Sequence, residues 1–160
     1  MSVTMSRIAE QSGIGRATLY KYFPDIESIL FSWHHHQISH HLEQLGEIKD
    51  KGGGSARQRL ERVLEGFAFI SYESRRRHDA DLAALLHRDR RVSDAEDELG
   101  RMIEELLADA ASTGEVRSDV GFDELAVYCL HSLAAAGGMS SKAAVQRLVK
   151  VTLSGLSQHP

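Results

Sequence analysis

The chain has little with which to cross-link itself, interrupt a helix or cross a membrane. A single cysteine, Cys129, among 160 residues excludes an internal disulfide and fits a reducing cytoplasm. Only two prolines occur and alternating β-branched runs are scarce, so an all-α chain is expected. No apolar run approaches the ~18–20 residues that span a bilayer. No basic-then-apolar segment at the N-terminus reads as a secretory signal. Catalytic fingerprints are missing as well: no G-x-S-x-G elbow, no Walker loop and no dinucleotide motif. Cys129 and His131 stand two apart, which on a helix turns them to different sides and prevents a nucleophile–base pair. Neither an enzyme nor a cofactor is expected.

A net charge of −4 argues at first against a nucleic-acid partner, but that charge is unevenly spread. Residues 1–24 carry Arg7, Arg16 and Lys21 against Glu10, a net of +2, which leaves −6 on the remainder. A small basic head on an acidic body suits a protein that meets DNA with one face. The head's charge is modest, so useful affinity is expected only from two heads acting together.

What is present is concentrated between Met5 and Leu30, MSRIAEQSGIGRATLYKYFPDIESIL. Ile8 and Ala9 form an apolar pair on a first short helix. Gly13 ends it, because a residue without Cβ enters the left-handed conformation at little cost. Ile14 is expected to plug inward. A second helix opens at or beside Gly15, with Leu19 and Phe23 four apart on one face. Pro24 stops it, and Asp25 caps a third helix. Helix, glycine turn, helix is a helix-turn-helix signature, whose second helix enters the major groove. Its outward residues, Arg16, Thr18, Tyr20, Lys21 and Tyr22, suit base edges and phosphates.

The segment VTMSRIAEQSGIGRATLYKYFPDIESIL resembles the DNA-binding segment of TetR-type bacterial repressors, with its I-A, G-I, T-L-Y and Y-F-P groups in register. Over the rest, only helix spacing and the run TGEVRSDVGFDELA are similar. The resemblance implies that Thr18, Tyr20, Lys21 and Tyr22 face DNA, with Arg16 and Ala17 near base edges. Two departures stand out. Ile26 occupies the place of a phosphate-contacting lysine, although backbone N–H groups at that helix start remain available. The family also has a helix ahead of this motif, whereas the sequence begins at Met1. Without it, Ile8, Leu19 and Phe23 would each lose part of a burial worth up to roughly 1.5–3 kcal/mol.

The remaining chain reads as a helical body. A long helix runs from Asp25 to about Lys49, and the glycines at 52–54 break it. Ser55 and Gln58 form a capping-box pattern ahead of a helix with Leu60, Val63, Leu64, Phe67, Phe69 and Ile70 on its buried side. That helix ends in Arg75-Arg76-Arg77, cations well placed at a helix C-terminus. A short helix over Ala80 to His87 follows. Ser93 and Glu96 suggest another capping box before a helix reaching Ser112, striped with Leu99, Met102, Ile103, Leu106 and Leu107. Thr113-Gly114 ends it, and a short polar connection leads to two last helices, Phe122 to Gly137 and Ser141 to Leu156.

These observations define the expectation: an all-α protein with a helix-turn-helix segment over residues 1–30 and a ligand-binding and dimerisation body over 31–160. The last two helices, with the small-residue tract Ala134 to Gly138, suggest a four-helix dimer seam of Leu125, Cys129, Leu133, Val145, Leu148, Val149, Thr152 and Leu156. The family's apolar cavity implies an effector site, for which Trp33, Phe67, Ile70, Leu86, Met102, Leu106, Tyr128 and His131 are candidates. The histidines at 34–36 and 40–41 include an i, i+4 pair, His36 and His40, but no third ligand completes a metal site, Glu43 being the best candidate. The expected function is a cytoplasmic DNA-binding regulator, a repressor that holds a palindromic operator as a homodimer and is released by an unknown small molecule. The alternative is a dimeric small-molecule-binding or interaction protein whose DNA binding is impaired.

Overall fold

The computed structural model describes residues 3–51, 53–77 and 90–158. Among them lie seven α-helices, a 3-10 turn and no strand: α1 Met5–Ser12, α2 Arg16–Tyr22, α3 Ile26–Lys51, α4 Ala56–Arg77, α5 Arg90–Ser112, α6 Phe122–Ala134, the turn Ala135–Gly138 and α7 Lys142–Gly155. The expected helix over Ala80 to His87 lies outside the described residues. The chain forms two compact units, Met1–Ile38 and Ser39–Pro160, which divide within α3.

In the second unit α4 is central and packs against α5, α6, α7 and the 3-10 turn. Leu60, Val63, Leu64 and Ala68 recur at helical spacing and are fully buried. The start of α4 is fixed by reciprocal capping. Ser55 N–H donates to Gln58 Oε1 at 3.1 Å, and Gln58 N–H donates to Ser55 Oγ at 3.3 Å. Leu99, Ile103, Leu106 and Leu107 of α5 close over this stripe. The helix expected to open at Ser93 begins earlier, at Arg90. The residues ahead of Ser93 include arginines, good helix formers, and nothing there forces the chain out of helical dihedrals.

The connection after α5 is less polar than its sequence suggests. Val116 is fully buried, and its neighbours are laced to both ends of the body. Arg57 Nη1 donates to Glu115 O at 2.8 Å and Nη2 to Leu153 O at 3.1 Å. Arg117 N–H donates to Leu156 O at 2.9 Å, and its guanidinium reaches Gly155 O at 3.3 Å. Apart from Glu115 O, these carbonyls lie at the C-terminal end of α7, where a helix runs short of intrahelical donors.

The residues expected at a dimer seam need correction. Leu125, Cys129, Leu133, Val145, Val149, Thr152 and Leu156 are buried within the protomer's own core, and Leu148 packs partly against it. Apolar periodicity identifies the face that avoids water, not the neighbour that covers it. Here the neighbours belong to the same chain. The small-residue tract does likewise: Ala136 is buried, and a Cβ on Gly137 would lie 3.0 Å from Arg75 Cδ of α4. The large apolar side chains that α6 and α7 leave outward are Val127, Tyr128 and Val151, the last 65% exposed.

Candidate nucleic-acid interface

The first unit is built on a small apolar cluster. Met5, Ala9 and Leu19 are buried, and Ile8, Phe23, Ile26 and Ile29 pack against them. Met5 and Ala9 are four apart on α1, a pairing that the sequence reading missed although its spacing was visible. Thr4 caps α1 by accepting from Arg7 N–H at 3.3 Å. Gly13 ends it in the left-handed region, φ 65°, and donates back to Glu10 O at 3.3 Å. Ile14 N–H donates to Ala9 O at 3.1 Å, closing the turn.

Two local expectations are corrected. Ile14 does not plug inward but is 44% exposed, because the turn uses its amide and leaves its side chain outside the cluster. Phe23 is not on α2. It is the C-cap in extended conformation, and it reaches the same apolar cluster from there. Pro24 accounts for that extended backbone. Asp25 then starts α3: its Oδ1 accepts from Ser28 N–H at 2.7 Å, and Ser28 Oγ donates to Asp25 O at 2.7 Å.

With Leu19 turned down, α2 presents Arg16, Ala17, Thr18, Tyr20, Lys21 and Tyr22 to solvent. Tyr20 is 51% and Tyr22 67% exposed, unusual for large rings that could have been buried. Lys21 Nζ lies 5.6 Å from the centre of the Tyr22 ring, within cation–π range. The face therefore offers two cations, two phenols and a hydroxyl on a helix narrow enough for a major groove. Ile26, standing where a phosphate-contacting lysine was expected, is half-buried in the apolar cluster.

Of the eight residues considered for an effector site, the described ones of the second unit do not gather in one opening. Trp33 belongs to the first unit and is 42% exposed. Leu86 lies outside the described residues. Leu106 is part of the core, with Phe67 packed partly against it. Tyr128 and His131 are exposed on α6, and the Tyr128 hydroxyl donates to Thr152 O at 3.5 Å. Ile70 and Met102 line separate openings. A groove of about 610 Å³ between α3 and α4 is bounded by Gln44, Glu47, Ile48, Lys51, Arg62, Gly66 and Ile70. A smaller one of about 380 Å³ between α3 and α5 is bounded by Ser39, Leu42, Glu43, Gly46, Glu98 and Met102. Arg62 and the α3 residues Gln44, Glu47 and Ile48, which line the first groove, were not among the residues expected from the sequence. Among the described residues no three His, Cys, Asp or Glu side chains converge as metal ligands, and no helix is long and apolar enough to cross a membrane.

A helix-turn-helix head with an exposed cationic recognition helix, on an all-helical body, defines the class of DNA-binding transcriptional regulators. Comparison with family models resolves it further. Residues 56–158 match the C-terminal domain of SbtR-like transcriptional regulators, and residues 1–32 match the bacterial regulatory proteins of the tetR family. The chain belongs to the TetR family, whose members are transcriptional regulators rather than enzymes. A comparison with curated proteins found no significant relative.

Solved structures share the fold. A TetR/AcrR regulator from Thermobifida fusca YX-ER1 superposes with a TM-score of 0.71 at 18% identity, over 98% of this chain and 88% of that one. The regulator FadR from Bacillus subtilis, in complex with stearoyl-CoA, gives 0.65 at 17% identity, over 96% and 89%. The ketosteroid regulator KstR2 of Mycobacterium tuberculosis gives 0.64 at 16% identity, over 98% and 86%.

Proposed function

We propose that the chain is a repressor that holds a palindromic operator as a homodimer and lets go when a small molecule occupies its body. The observation that carries this is the outward face of α2, where Arg16, Thr18, Tyr20, Lys21 and Tyr22 stand exposed around a buried Leu19. A head with so few cations holds DNA usefully only when paired with another. A dimer sets its two recognition helices about one duplex turn apart, ~34–36 Å. Val127, Tyr128 and Val151, apolar groups left in water on α6 and α7, support a self-complementary seam there. The stearoyl-CoA held by the similar FadR structure supports a small-molecule effector for this body. Release is a shift of population and requires that the effector prefer the arrangement that does not fit DNA.

The test is an electrophoretic shift of promoter DNA at several salt concentrations. The wild-type chain shifts a palindromic fragment, and less so as salt rises. Tyr20→Ala and Lys21→Ala each weaken binding by ~1–3 kcal/mol, while sedimentation shows an unchanged association state. Unchanged affinity in both variants overturns the reading. A second reading, a dimeric ligand-binding protein with impaired DNA binding, is favoured by Ile26, which cannot reach a phosphate from within the apolar cluster. A wild-type dimer that shifts no promoter fragment even at low salt supports that alternative.

A further inference from the structure

We infer that the groove between α3 and α4 binds a small amphiphile ending in a carboxylate, and that Arg62 recognises the head group. The inference rests on the ligand-regulated reading above and names the ligand class.

The groove's volume, about 610 Å³, falls in the range of small-molecule sites. Its floor is apolar: Ile48 from α3, Ile70 from α4, and the bare Cα of Gly66 between them. A Cβ on Gly66 would stand 3.0 Å from Leu45 Cδ2 and 3.2 Å from Ile48 Cδ1, so glycine is what lets the two helices close beneath the groove. Gln44 and Lys51 mark its extent along α3, seven residues apart, or about 10 Å at 1.5 Å per residue. An extended, medium-length apolar body matches that trough.

The polar end is set by one guanidinium. Arg62 Nη2 donates to Gly53 O at 2.6 Å, which anchors the group. Its Nε is shielded from water and has no acceptor. A shielded N–H without an acceptor is costly, most of all on a charged group. The rim's other charges answer one another, Lys51 Nζ lying 2.9 Å from Glu47 Oε2. That leaves the groove with the single positive charge of Arg62. A carboxylate supplies one negative charge and two oxygens, and a turn of the Arg62 side chain that uncovers its Nε presents a guanidinium edge of matching geometry. A dianionic head would leave one charge uncompensated beside Glu47.

Calorimetry on the full chain tests this with decanoate and decan-1-ol, which share an apolar body and differ in the head. Decanoate is expected to bind with one site per chain and at least about tenfold more tightly than decan-1-ol, the scale of a charge-assisted hydrogen bond. Arg62→Met should remove that advantage and leave decan-1-ol unchanged. Arg62→Lys, which keeps the charge without the fork, should restore only part of it. Gln44→Trp, placed at an exposed position on the rim, should weaken both ligands. With circular dichroism confirming folded variants, decanoate binding that ignores Arg62→Met overturns the proposal, as does failure of both ligands to bind the wild type. Decyl phosphate binding more tightly than decanoate overturns the head-group assignment. The same preparations are assayed for promoter binding without ligand. DNA binding retained while decanoate fails sinks the groove alone; loss of both sinks the regulator reading beneath it.

Discussion

Single residues divide the labour within short stretches of this chain. Leu19 is buried while Tyr20 to Tyr22, its immediate successors, stand in water, so one helical turn carries both the head's packing and the face proposed to meet DNA. That division was legible in the sequence, because an apolar residue flanked by cations and phenols has one sensible orientation on a helix. Cys129 shows the opposite case. Its burial pushes the thiol up to about 12 from a usual value near 9. The neutral thiol is the form that the fold favours, so its contribution to stability is complete below pH 9 and is lost as pH rises from there towards 12. We expect thermal stability to fall over that alkaline window. Iodoacetamide at pH 8 should leave Cys129 untouched in the folded chain and alkylate it in urea, as followed by intact mass; rapid labelling of the folded chain would contradict its burial.

At the scale of elements, the signals that proved readable are local ones. Gly13, the Ser55–Gln58 pair and Asp25 each act within a few residues of themselves, and each ends or starts a helix as its chemistry requires. Gly13→Ala is expected to cost about 1–2 kcal/mol in a denaturant titration. The whole of that cost is backbone strain, since a Cβ there would meet nothing within 4 Å. Ser55→Ala should cost ~1 kcal/mol by removing a cap. Ser93 and Glu96 display the limit of such reading. The same S-x-x-E spacing lies inside α5, because a pattern that can cap a helix does not oblige the helix to begin there. Ile14 and Val116 mislead for a related reason. One is apolar yet exposed by its turn, and the other lies in a polar-looking connection yet is buried under a distant helix end.

For the whole molecule, what sequence could not supply is the identity of each neighbour. The helix-turn-helix head was readable because its partners are consecutive in the chain. The inner stripes of α6 and α7 were assigned to a second copy because nothing in them names α4 as their cover. Any seam between copies must therefore use the outward set. Val151→Asp, on a side chain that packs little within the protomer, is expected to leave the fold intact and to yield monomers at micromolar concentration by sedimentation. Persistent dimers in that variant would move the seam elsewhere. Acid sensitivity is also a property of the assembled body. Hydrogen bonding and charge from Lys49 hold Glu105 below the usual carboxylate range, and Ser55, Thr113 and Arg57 do the same for Glu115. Both carboxylates stabilise the fold while ionised, so their contribution is present above about pH 4.5 and is lost as pH falls through their lowered values. The double variant Glu105→Gln, Glu115→Gln should show a flatter melting temperature across that acid window.

The lacing of Arg57 and Arg117 onto Glu115, Leu153, Gly155 and Leu156 has a dynamic corollary. Three stretches far apart along the chain share one set of donors and acceptors, so none can open without stripping the others. Deuterium uptake at the start of α4, in the link after α5 and at the tail of α7 should then advance in step, as a single cooperative unit of local unfolding. In Arg57→Met the three should quicken together.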